Sequence, residues 1–482
     1  MRDHRAEVSL NISPDEDYEP RPVEPREFRI LIVGDFGGRG DDAGPSGDSP
    51  RRVDRDDLDA HLARIAPRLH VDVAGTEHHL AFASLDDFHP DQLAARLAAL
   101  DTRVPSVQTS APAAKTPTSS PPIGSSVVSG ASLLDDILDD AAGPAAGESA
   151  STEASRSRGR GDDLSAFIDR AVEPHLVRRD AGAEANAEVR QREMSATLRA
   201  VLHHPRVQAL EATWRSLDLL VRRLDTDGDL RLFLLDRPRA HVATALEQLG
   251  RSHDAADDER WALVAVLHAF PDGDSGAQSL AALAMAATSL GAPCVAAAPA
   301  SFTGADSLAR LDDDERSPSP APDVYELIRG SADGRFLGLT YPRVLMRAPY
   351  GRDNPCDTID FEELDDPDRH TDYLWGSGAA LVALIVGEAF TRNGWAIGGR
   401  FAPDVAGLPY FTYRRDGQTI AKSCAEGIMS ERVARWLLGR GIMPVAWIRD
   451  TDRVRIVDLR SVTDPSSPLS AAWAGPAPRR TT

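Results

Sequence analysis

Leu230-Arg231-Leu232-Phe233-Leu234-Leu235 reads as a strand. A helical stretch near Ala240–Leu249 follows it, then a second strand-like run from Trp261 to His268. A helical stretch at Gln278–Leu290 leads to a third run, Cys294 to Ala298. Short apolar runs separated by helix-length amphipathic segments predict parallel strands with helices crossing between them. The fold class is therefore α/β: mixed, largely parallel sheets flanked by helices, with a long disordered linker.

Upstream, Phe28-Arg29-Ile30-Leu31-Ile32-Val33 is a further buried strand, running into the turn-forming Gly34-Asp35-Phe36-Gly37-Gly38-Arg39-Gly40. Leu58, Leu62 and Ile65 share one face of a short helix, and Pro90 opens another carrying Leu93, Leu97 and Leu100. Val8 to Ser13 alternates apolar and polar residues as a one-sided strand does. Val207, Leu210, Trp214, Leu217, Val221 and Leu224 alternate spacings of three and four, a packing seam on one long helix. Tyr373 to Asn393 reads as another long helix, and Met443–Ile448 and Arg453–Leu459 as the last strands.

Composition sets the boundaries. Residues 1–100 and 163–462 read as folded. Residues 101–162 are a linker rich in Pro, Ser, Thr and Ala, too poor in apolar surface to offset chain entropy, with one short helix near 132–139. Residues 463–482 read as a loose tail.

The chain has 482 residues, with 54 Lys and Arg against 75 Asp and Glu, a formal charge of -21. That excess of negative charge opposes a nucleic-acid-coating role, which needs positive faces for phosphate. The three cysteines, Cys294, Cys356 and Cys424, are far apart and form neither a disulfide framework nor a zinc knuckle. The N-terminus shows no apolar leader, and the run Ala379–Phe390 is too short to span a bilayer and holds Glu388. The expectation is a cytoplasmic protein without membrane insertion.

No catalytic, cofactor or metal constellation stands out. Gly34–Gly40 follows a strand and invites a nucleotide-binding reading, but it lacks both the Lys-Ser/Thr ending of a P-loop and G-x-G-x-x-G spacing; a strand-exit turn is the plainer reading. His78-His79 and His203-His204 lack the pattern of a metalloprotease helix. Cys424, beside Lys422 and Ser423, is either an activated thiol or a buried cysteine. The acidic clusters, Asp312-Asp313-Asp314-Glu315 among them, lack calcium-loop spacing.

The segment Phe28–Phe36, followed by Leu85-Asp86-Asp87-Phe88-His89-Pro90-Asp91, resembles the small subunit of the type VI secretion contractile sheath. The later part resembles the large sheath subunit. The matching segments are Leu202-His203-His204-Pro205, Gln208 to Leu217, Leu327 to Ser331, Tyr341 to Leu345, Ala348 to Gly351, Tyr373 to Gly376, and Asn393-Gly394-Trp395. The resemblance covers most of the chain outside the linker, with two subunits that are usually separate joined in one chain. It implies a non-enzymatic structural protomer that assembles around an inner tube and drives it outward by contraction.

Its implied partners are further sheath subunits, the tube protein, a baseplate and an AAA+ recycling unfoldase. Val8, Leu10 and Ile12 fit a strand donated to a neighbour, or else an edge strand of their own domain. Leu133, Leu134, Ile137 and Leu138 fit the unfoldase-recognised helix, or a helix docked on its own protein. The small-subunit part stops near Leu100 and the large-subunit part near Val462, short of the family's further helices and C-terminal strands. A non-polymerising adaptor or cap is therefore an alternative, and a nucleotide-binding α/β enzyme a second.

Overall fold

The computed structural model describes residues 27–41, 43–44, 49–101, 181–252, 260–305, 308–311 and 319–473. Val8–Ser13 and the 132–139 island lie outside them. Two compact units divide the chain: Met1–Asp101 together with Glu193–Thr482, and Thr102–Arg192. The second unit is described only from Ala181, where an exposed helical segment carries an Arg192–Glu188 pair at 3.0 Å.

The first unit is built on a seven-stranded sheet. Its strands are β1 (Phe28–Gly34), β2 (Arg51–Val53), β5 (Leu230–Asp236), β6 (Trp261–Val266), β7 (Cys294–Ala297), β8 (Leu337–Tyr341) and β14 (Ile442–Pro444), in the order β14-β8-β7-β6-β1-β5-β2. All neighbours are parallel except β2, which runs antiparallel to β5. The strand from the N-terminal segment thus sits inside the sheet, between β5 and β6. Phe28 pairs with Leu230 and Gly34 with Asp236 on one side, and Ile30 pairs with Leu263 on the other.

A central parallel strand is buried on both faces, which is why it reads as an unbroken apolar run. Phe28, Ile30 and Ile32 enter one core and Leu31 and Val33 the other, each fully buried. Arg29 is accommodated by stacking its guanidinium over Phe233 and Trp261, 4.5 and 4.4 Å from the ring centroids.

Helices cover both faces. On one lie α4 (Pro205–Arg223) and α8 (Ala379–Asn393); on the other, α5 (Val242–Ser252), α6 (Asp274–Leu290), α7 (Asp323–Gly330) and α9 (Glu431–Gly439). The preceding helices are α1 (Leu58–Ile65), α2 (Pro90–Asp101) and α3 (Ala181–Leu202). The apolar run of α8 is a core helix buried nearly all round. No helix among the described residues is long and apolar enough to cross a membrane. The seam on α4 is buried as its spacing requires, and the Trp214 indole N–H donates to the Phe36 carbonyl at 3.0 Å, tying the helix to the end of β1.

Four elements differ from expectation; the simplest is the last strand, expected over Arg453–Leu459, which ends at Arg455. The helix expected from Tyr373 begins only at Ala379. Trp375-Gly376 (β10) pairs instead with Val344-Leu345 (β9), and the Trp375 indole donates to the His370 carbonyl at 2.8 Å. The run Met443–Ile448 splits at Pro444, which cannot continue a ladder. Its second half, β15 (Ala446–Ile448), leaves for a small sheet with β16 (Arg453–Arg455) and β11 (Asp404–Val405). The tail expected to be loose from residue 463 is anchored as far as Trp473. Leu469 and Trp473 are buried, and the Trp473 indole donates to the Ala262 carbonyl at 2.8 Å. Two apolar anchors hold a segment whose average composition reads as linker.

Two antiparallel hairpins complete the unit, β3 (Arg68–Val73) with β4 (Thr76–Ala81) and β12 (Phe411–Arg415) with β13 (Gln418–Lys422).

Candidate functional site

Parallel strands end on the same side, and in open α/β sheets that side is where ligands bind. The loop Gly34–Gly40 lies there, on a cleft of about 410 Å³ lined by Asp35, Gly38, Arg206, Arg239, His268 and Ser377 among others. This is the place a nucleotide reading requires. The loop's hydrogen bonds are directed elsewhere, however. Arg39 N–H and Gly40 N–H donate to the Asp35 carboxylate at 3.0 and 2.7 Å, and Gly37 N–H donates to Asp236 at 3.1 Å. Gly38 N–H donates to the Asp35 carbonyl at 3.2 Å.

The donors a phosphate would need are therefore engaged, by two carboxylates that would repel it. Burial pushes the Asp236 carboxyl up, while Arg39, whose guanidinium lies 2.8 Å away, holds it back. Burial also pushes His268 down to about 4, so its ring is neutral near pH 7, with Nε2 2.9 Å from the Arg237 carbonyl oxygen. The cleft's arginines are also engaged: Arg239 pairs with Asp41, Arg343 with Glu426, and Arg206 donates to the carbonyls of Gly38 and His70. The arrangement fastens the loop to the sheet.

A second cluster is built from charges in the interior. Glu211, on α4 beside the apolar seam, is fully buried. Its Oε1 accepts from Arg215 Nε at 2.7 Å and from Arg347 Nε at 2.8 Å. The same Arg347 guanidinium forks onto Glu363 through Nη1 and Nη2 at 2.7 and 2.9 Å, the bidentate geometry that gives this pairing its strength. Tyr350 N–H donates to Glu363 at 2.8 Å, and the Tyr350 ring lies 4.4 Å under the Arg347 guanidinium. His203 stands within 3.7 Å of Glu363 and 3.8 Å of Asp372.

Burial alone would raise the Glu363 carboxyl, but Arg347, His203 and the Tyr350 N–H outweigh it and hold it at about 2. Burial would likewise lower Arg347, and the two carboxylates reverse that, keeping it firmly charged. This node joins α4 to the irregular layer from Val344 to Gly376. Two of the segments that carried the family resemblance, Gln208–Leu217 and Ala348–Gly351, meet here. Sequence reading passed over Glu211, Arg347 and Glu363. The available signal was a Glu211/Arg215 pair four residues apart beside an apolar stripe.

The remaining candidates are placed as follows. Cys424 is buried, its Sγ 3.2 Å from the Pro409 carbonyl oxygen and its thiol pushed up to about 12 by burial; this is the buried-cysteine alternative. His204 caps α4, its ring accepting from Arg206 N–H at 3.2 Å. The sheet's edges are short: β2 presents Arg51 and Arg52, and β14 ends in Pro444, devices that blunt edge pairing. The β12–β13 ribbon offers longer strands, each paired only with the other among the described residues. Val8, Leu10, Ile12, Leu133, Leu134, Ile137 and Leu138 lie outside the described residues.

Residues 187–256 and 250–463 match the family described as EvpB/VC_A0108, tail sheath N-terminal domain. Residues 2–104 match the family described as Type VI secretion system, VipA, VC_A0107 or Hcp2. Over 297 residues the chain is 26% identical to the type VI secretion system sheath protein TssC1 of Pseudomonas aeruginosa, an overlap covering 57% of this chain and 60% of that protein.

Proposed function

The chain belongs to the type VI secretion sheath family, with small- and large-subunit matches in one polypeptide, and we propose that it is a structural protomer of a contractile sheath. Protomers would stack helically around an inner tube and drive it outward by contraction. Such work needs no bond chemistry, only two packings of one body with different contact free energies. The observation that carries the reading is the order of the two family matches along a chain whose central sheet takes the interior strand β1 from the first match and both strands flanking it from the second.

Val8, Leu10 and Ile12 would form the strand donated to a neighbour. The β12–β13 ribbon would be a suitable acceptor, since a two-stranded ribbon gains stability from a third strand. Leu133, Leu134, Ile137 and Leu138 would form the helix that an AAA+ unfoldase grips after contraction. Further sheath subunits, the tube protein and a baseplate are the partners in this reading, and the cytoplasm its compartment.

Negative-stain electron microscopy of the purified protein, alone and with its tube protein, tests the proposal. Long cogwheel-ended tubes are expected. Discrete particles under every condition would overturn a self-assembling protomer and favour an adaptor or cap. A melting temperature that rises with ATP would instead revive the nucleotide reading of Gly34–Gly40; no shift is expected.

A further inference from the structure

The β3–β4 hairpin carries chemistry on its outer face. Its register sets His70 opposite His79 and Asp72 opposite Glu77. Side chains alternate along a strand, so these four share one face, while Leu69, Val71, Val73 and Leu80 are buried on the other. The two imidazole rings meet edge to face with centroids 4.4 Å apart, and His70 Nδ1 lies 3.5 Å from Glu77 Oε1. One donor atom from each of His70, Glu77 and His79 falls within 4.8 Å of the other two.

We infer that His70, Glu77 and His79 form a binding site for a divalent transition-metal ion of the zinc class. Two imidazole nitrogens and a carboxylate oxygen are the borderline donors such an ion takes, whereas calcium and magnesium want oxygens alone. A tetrahedral shell with bonds of about 2.1 Å separates its ligand atoms by roughly 3.4 Å, so closure needs only small side-chain rotations. The backbone beneath is already held. Arg206 donates to the His70 carbonyl at 3.2 Å, and Asp72 accepts from Gly75 N–H at 3.0 Å, which fixes the turn and commits that carboxylate. Three protein ligands leave one position open to water.

A second trio, His89, Asp91 and Cys356, lacks this readiness. Asp91 already accepts from Asp357 N–H, Thr358 N–H and the Thr358 hydroxyl, and burial with nearby carboxylates pushes the Cys356 thiol up to about 11.

The test is calorimetric titration of the full-length protein with zinc chloride near neutral pH. One saturable zinc per chain is expected at this site. His70→Gln and His79→Gln should each weaken it by at least about tenfold, and Glu77→Gln by less. All three residues are exposed, so thermal unfolding of the variants without metal should match the parent and separate lost binding from lost fold. In the cobalt-loaded protein, visible absorption of a tetrahedral nitrogen–oxygen site should disappear with either histidine. Absence of saturable zinc uptake, or uptake unchanged in both histidine variants, would overturn the assignment.

Discussion

The central strand β1 and the irregular layer from Val344 to Gly376 are held in place by different physics. β1 is fixed by apolar burial on two faces and by ladders to β5 and β6. The layer has only two short strands; it shares the apolar core through Val344, Met346, Phe361 and Leu374, and adds to that a charged tie to α4 through Arg347, Glu211 and Glu363. Burial of hydrocarbon is indifferent to pH and tolerant of small changes in shape. A buried charge cluster depends on every member, because removing one strands the others without solvent. The sheet should therefore survive conditions that release the layer.

The largest effect should come from Arg347→Met, which leaves two carboxylates facing each other in the interior. A loss of about 3–5 kcal/mol in chemical denaturation is expected. A loss below about 1 kcal/mol would mean that the node contributes little beyond a surface ion pair.

Acid should act next. The folded carboxyl of Glu363 sits at about 2 against an ordinary 4.5. Its contribution is complete above the unfolded value and is lost as pH falls through 4.5 toward 2. The loss should be on the order of 3 kcal/mol, read from denaturation midpoints across that range, and largely absent from a Glu363→Gln variant. Ile32→Val, in β1, should cost about 1 kcal/mol, by the same amount near neutral and at acid pH. A strongly pH-dependent cost there would break the contrast between the two regions. Smallest of all, Glu431→Gln removes an exposed pair with Arg435 and should change stability by under about 0.5 kcal/mol.

The same contrast explains what could be read from sequence. β1, β5, β6 and β7 are apolar runs whose environment is written in their composition, and the helices between them carry their own periodicity. The Val344–Gly376 layer has no period. Trp375 and Gly376 join a bridge with Val344 and Leu345 that no local signal announces, so sequence pattern alone merges the run with the helix behind it. Glu211 lies beside an apolar seam and meets Arg347, 136 residues later, only in three dimensions.

The β3–β4 hairpin was missed for another reason. Its two-residue turn puts both Ala74 and Gly75 at positive φ, 53° and 83°, a conformation usually announced by Asn-Gly or Asp-Gly. Without that turn the pairing of His70 with His79 is invisible, and the histidines look scattered. The strand-exit reading of Gly34–Gly40 had a local basis, whereas the carboxylates that close the loop come from Asp35 and, two hundred residues on, Asp236.

The central claim is that segments matching two sheath subunits make one sheet, with β1 inserted between β5 and β6. Expressing residues 1–101 and 187–482 as separate chains in one cell tests it most directly. The account expects them to purify together in equal amounts and unfold in one cooperative transition, and the longer piece alone to aggregate through the exposed edges of β5 and β6. Two pieces that fold, purify and melt independently would contradict it.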